Sequence, residues 1–136
     1  MGSPVYFWGV SGEMKSFLER LMFPFYIYKK DDDPVRSLFT KRLPTGFIYT
    51  MNSTPVRMEA VGYDKQIAVT EMFLKRIFGS AESLVCYDTV QFDDYSKIYQ
   101  ERFDPEAKAA RRKEQFPRDC QDAFDMGVRL ATAGRT

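Results

Sequence analysis

The sequence predicts an α/β domain whose strands run parallel in one sheet. Two short, uninterrupted apolar runs, residues 46–50 and 83–92, are bounded by turn residues, the pattern of strands covered on both faces. Amphipathic helical patterns alternate with these runs, and such alternation places helices against a parallel sheet through right-handed crossovers. At 136 residues the chain is expected to form a single domain with a core of its own.

The elements follow in order. Ser3-Pro4-Val5-Tyr6-Phe7-Trp8 reads as the end of a buried strand. Ser11 is a good N-cap for a helix reaching about residue 23. Met14, Phe17, Leu18, Leu21 and Met22 form its apolar stripe, and Pro24 stops it. An aromatic, then charged connection follows, with a turn expected at Asp33-Pro34. After the 46–50 strand, "NSTPVRMEAVG" reads as a loop. A helix over 63–78 comes next, with Ile67, Thr70, Leu74 and Ile77 on one face and Gly79 ending it. The 83–92 strand leads into the polar stretch "FDDYSKIY". Asp104-Pro105-Glu106 starts the last helix, with Asp as cap and Pro at the first position. Its first turns, through Gln115, are polar and expected to be exposed; Pro117 restarts the helix, and Cys120, Ala123, Phe124, Gly127, Val128 and Ala131 are its expected buried stripe.

Composition excludes several chemistries. With 44% hydrophobic and 29% charged residues the chain is an ordinary globular sequence, and its net charge of +1 gives no general attraction to nucleic acid or membrane. The charge runs at 29–33 and 111–114 are mixed in sign and read as solvated. No stretch approaches a membrane span of about 18–20 apolar residues, and no secretory signal is visible, so a cytoplasmic location is expected. There is no histidine, which removes His-based triads and His metal ligands. The two cysteines, Cys86 and Cys120, are too few for a zinc or iron–sulfur site of about four thiolates and are expected to be core thiols. Asp93-Asp94, Glu101, Asp104 and Glu106 read as capping and solvated acids rather than a metal site.

Open parallel sheets bind ligands outside the carboxyl ends of their strands. Three segments are expected there: 3–11, 50–57 and 87–95. The first carries Tyr6, Phe7 and Trp8 beside Gly9, Ser11, Gly12 and a helix start; the second offers Thr50, Asn52, Ser53 and Thr54. Aromatic walls with nearby amides suit a flat heteroaromatic ring edged by carbonyl oxygens.

On these residues the chain resembles the flavodoxin-like NAD(P)H-dependent FMN reductases, including their iron–sulfur flavoprotein branch. Ser3-Pro4-Val5-Tyr6, a short loop and then Lys15, Phe17 and Arg20 match the family's Ser-Pro-Val-Tyr and Lys-x-Phe-x-x-Arg pattern. "YDTVQFDDYSKIY" followed by "FP.DC..A..MG.RLA" is similar to the family's tail, so the resemblance runs over nearly the whole chain. It implies a flavodoxin-like parallel-sheet sandwich, with Pro4, Val5, Tyr6, Phe7 and Trp8 against the flavin ring and Thr50, Met51 and Asn52 as a second set. FMN is the implied cofactor and NAD(P)H the electron donor.

The family's first strand, Gly/Ser/Thr-rich phosphate loop and second βα unit have no counterpart here, a difference of roughly 70 residues at about 30 per βαβ unit. The chain is therefore expected to be a single partial domain, N-terminally truncated, with the ring half of the site and no backbone cradle for the phosphate. FMN binding by this chain alone is expected to be impaired. The apolar surface left bare is expected to be covered by a second copy, as a homodimer or larger oligomer. The alternative expectation is a non-catalytic truncated α/β fragment that self-associates and binds no cofactor.

Overall fold

The computed structural model describes residues 1–29 and 35–134; the expected turn at Asp33-Pro34 and most of the 29–33 charge run lie outside them. The chain is α/β. Among the described residues four strands, β1 (Gly2–Tyr6), β2 (Gly9–Val10), β3 (Leu43–Thr50) and β4 (Gly79–Cys86), form one sheet in the order β2-β1-β3-β4. The α-helices among these residues are α1 (Gly12–Met22), α2 (Pro55–Ala60), α3 (Tyr63–Phe78) and α4 (Pro105–Ala133).

The parallel sheet expected from the sequence is present only in part. β3 pairs in parallel with β4 along its whole length, Leu43↔Gly79 to Thr50↔Cys86, and β1 pairs in parallel with β3 over Gly2, Ser3 and Pro4. The fourth strand is antiparallel: Val5 and Tyr6 of β1 pair with Val10 and Gly9 of β2. The segment read as a strand end followed by an open loop is thus a tight hairpin, and the sheet is mixed.

Alternation along β3 divides the molecule into two faces. Phe47 and Tyr49 are stacked at 4.3 Å and fully buried on one side, where Tyr63, Ile67, Leu74, Ile77 and Phe78 of α3 and Leu18 of α1 join them in the core. Gly46 belongs to the opposite side, under α4. A β-carbon there would come within 2.7 Å of Leu130 Cδ1 and 2.9 Å of the Met126 sulfur, so the glycine is what lets the helix lie close.

Helix boundaries follow the sequence chemistry. The Ser11 hydroxyl accepts from the Met14 N–H at 3.3 Å to cap α1, and Asp104 accepts from the Glu106 and Ala107 N–H groups to cap α4. Gly79, at φ 101°, ends α3 and begins β4 without a connecting loop, a conformation that glycine adopts without a β-carbon clash. Four expectations need correction. "STPVRMEA" is not all loop: Thr54 caps α2, and Pro55 opens it because a first-turn N–H is not needed there. β4 covers 79–86 rather than 83–92, since its ladder ends where β3 ends and Asp88 takes a positive φ of 54°. α4 runs through Pro117 unbroken, with that proline on the solvent side. Finally, Cys120, Phe124 and Val128 are exposed, and Met126 and Leu130, on the neighbouring strip, meet the sheet. Cys86 is buried as expected, whereas Cys120 is not a core thiol.

Candidate functional site

At the carboxyl ends of β1 and β3 a cleft of about 260 Å³ opens between the hairpin and the loop after β3. One wall is Val5, Tyr6, Phe7 and Trp8; the other begins with Met51, Asn52 and Ser53. Six of the eight residues singled out from sequence therefore meet in one place. Pro4 and Thr50 do not line it. They face each other in the β1–β3 ladder one step below, and Thr50 opens instead onto a neighbouring cleft of about 370 Å³ between residues 87–93 and α4.

The hairpin tip has an unusual backbone. Its two central residues, Phe7 and Trp8, have φ of 49° and 59°. Two-residue hairpins with both φ values positive normally use Asn or Gly there, and a side-chain-bearing residue costs about 1–2 kcal/mol at each such position. Two supports hold the tip. Buried Ser3 accepts from the Ser11 N–H at 3.0 Å through its hydroxyl, tying β1 to the start of α1. Trp8 leans on Tyr63 of α3, ring centroids 6.0 Å apart. Trp8 is thus half packing and half cleft wall, whereas Phe7 is fully exposed and Tyr6 is half exposed.

The opposite wall is stitched by main-chain hydrogen bonds between the loops after β3 and β4. Met51 N–H donates to Cys86 O at 2.9 Å, Asp88 N–H to Ser53 O at 2.9 Å, and Thr89 N–H to Met51 O at 3.0 Å. Lys108, in the first turn of α4 and only 6% exposed, sits behind them. Its Nζ donates to Asn52 Oδ1 and Asp88 Oδ1 and lies 5.3 Å from the Phe103 ring centroid. Asp88 is held from its other oxygen by Arg111 at 3.2 Å. Asn52 Nδ2 in turn donates to Gln91 Oε1 at 3.1 Å. These bonds orient the Asn52 amide, with its oxygen toward Lys108 and its nitrogen toward Gln91. A buried ammonium needs this degree of pairing, because an unpaired one would be expensive to desolvate.

Sequence reasoning missed Lys108, which lies in turns expected to be exposed, and Arg102; Arg57 and Gln91 lie within the segments expected at the strand ends but were not singled out. Spacing could not have found them, since Lys108 is 56 positions from Asn52; Arg57 belongs to the unrecognised α2. Ser53 also lines the cleft, and its hydroxyl is shielded from solvent with no hydrogen-bond partner among the described residues. Asp94 and Asp104 are local caps, as expected: Asp94 accepts from the Ser96 N–H at 3.0 Å and Asp104 from the Glu106 N–H at 2.9 Å. Among the described residues no group of three or more potential metal-ligating side chains occurs, and no helix is long and apolar enough to cross a membrane. No protein-family model, curated protein or solved structure matches the chain.

Proposed function

We propose that this cleft receives the flat ring of a flavin, and that the chain is a flavodoxin-like, FMN-dependent NAD(P)H oxidoreductase working in the cytoplasm as a homo-oligomer. The observation that carries the reading is the aromatic hairpin tip: Tyr6, Phe7 and Trp8 stand at the carboxyl end of a parallel strand, and Phe7 and Trp8 hold a backbone conformation that costs stability. Strain held at such a place is a reasoned pointer to ligand contact, and strand carboxyl ends are where open α/β sheets bind ligands.

The residues present suit a ring. Tyr6 and Phe7 offer apolar faces, and Asn52 presents an amide held in one orientation. When bound, FMN would supply the hydride-accepting chemistry; the chain's own part is to hold the ring, orient its polar edge and shield one face from water. That division suits a chain without histidine.

A second reading, a non-catalytic self-associating α/β unit without a cofactor, is favoured by the exposed aromatics Phe23, Phe116 and Phe124. Titrating protein into riboflavin while following its fluorescence separates the two. Saturable quenching with a change in the visible spectrum is expected for the flavin reading, and flavin fluorescence unchanged at high micromolar protein would rule it out.

A further inference from the structure

We propose that Arg57 and Arg102 are the anion grip of this cleft, so that the flat ligand it takes carries a phosphate or similar negative group on its outer end. The proposal rests on the ring-binding reading above and adds the chemistry of the ligand's other end.

Among the described residues the cleft lining contains two guanidinium groups and no carboxylate. Arg57 comes from α2 and Arg102 from the segment just ahead of α4, so two separate elements bring positive charge to one opening. Among the described residues neither has an ion-pair partner, whereas Arg111 and Arg129 are committed to Asp88 and Glu82. Glu59 and Glu101, their near neighbours in sequence, do not line the cleft.

Size then decides where the charge must sit. At about 260 Å³ the cleft falls below the roughly 300–1,000 Å³ of pockets that enclose a whole ligand. It accepts one ring system, and the remainder of the ligand stays at the mouth. Arg57 and Arg102 are both exposed there, and a planar guanidinium fork matches phosphate oxygens in pairs. This grip uses side chains from two elements, so it requires no glycine-rich amide cradle of the kind the sequence lacks. Because both arginines are solvated, the attraction is screened by salt.

Riboflavin and FMN share one ring and differ by the phosphate, which makes them the test pair. The full chain is titrated into each at low ionic strength, by fluorescence quenching and by calorimetry. FMN is expected to bind about tenfold more tightly than riboflavin, with the advantage shrinking as salt is raised. Arg57→Gln combined with Arg102→Gln is expected to bring FMN down to the riboflavin level while riboflavin binding stays as it was; Arg118→Gln, on the exposed side of α4, should change neither. Equal affinity for the two flavins in the native chain would overturn the anion grip and leave the ring reading standing. An FMN advantage that survives in the double variant would overturn its assignment to these arginines. Binding of neither flavin would overturn the ring reading and this proposal with it.

Discussion

The Tyr49 hydroxyl is shielded from solvent without a hydrogen-bond partner among the described residues, in a side chain only 1% exposed. Burial pushes its pKa from 10.0 up to about 12; the Thr70 hydroxyl pulls the other way but is itself bonded to the Gln66 carbonyl at 3.1 Å. The folded chain therefore holds the phenol proton more tightly than the unfolded chain. The stability so gained is complete below pH 10 and is lost as pH rises toward 12. Burial likewise raises the Cys86 thiol from 9.0 to about 11, so the alkaline loss begins a unit earlier with that group. Tyr49→Phe is expected to leave neutral-pH stability unchanged or raise it by about 1 kcal/mol, since it removes an unanswered polar group. It should also flatten the alkaline limb of denaturant midpoint against pH between 10 and 12; an unchanged limb would show that the phenol does not titrate with folding. Neither Tyr49 nor Lys108 announces such a state in the sequence. Tyr49 sits in an apolar run where any aromatic fits, and the partners of Lys108 come from two distant loops.

At the scale of elements, legibility followed local chemistry. α1 and α3 carry periodic apolar residues, Ser11 and Asp104 cap the starts of α1 and α4, Gly79 ends α3, and the structure has these limits within a residue or so of those expected. α2 escaped notice because it is six residues long, with only Met58 buried. α4 misled in the choice of face. Its inward strip runs Lys108, Arg111, Gln115, Asp119, Met126 and Leu130, polar where it faces the strand-end loops and apolar only farther along. A strip that changes character midway has no uniform apolar signal, so the more hydrophobic strip beside it looked like the buried one. The hairpin was equally hidden, because Phe-Trp is a poor turn pair by propensity. That mismatch is testable: Phe7→Asn, which tolerates the left-handed region better, is expected to raise stability by about 1 kcal/mol while weakening flavin binding several-fold. Denaturant midpoints and flavin titration read the two effects separately. Lower stability in this variant would mean that Phe7 contributes packing despite its full exposure.

Across the whole molecule, apolar surface is left open on two sides. Along α4, Phe116, Phe124 (66% exposed) and Val128 form one strip. On the other side, a groove of about 920 Å³ between α1 and α3 is lined by Met22, Phe23, Tyr26, Phe73 and Ile77 together with Lys15, Glu19 and Arg20. Contiguous apolar surface of this kind commonly marks an interface, and the homo-oligomer proposed above would cover it. Sedimentation equilibrium is expected to give a dimer or larger species, and Phe124→Asp should shift it toward monomer without unfolding the chain. A native chain that sediments as a stable monomer would remove self-association from the account.

Lys108 near one end of α4, and Met126 with Leu130 near the other, hold the helix along its length. Eighteen helical steps between Lys108 and Met126 span about 27 Å, reaching from the strand-end loops back to Gly46. The helix therefore works as a gauge bar. Deleting a single residue between those two anchors would swing one of them through about 100°, so the ammonium and the methionine could no longer both face the sheet. Changes of length in that stretch are closed to this protein, while changes of side chain on its outer surface remain open.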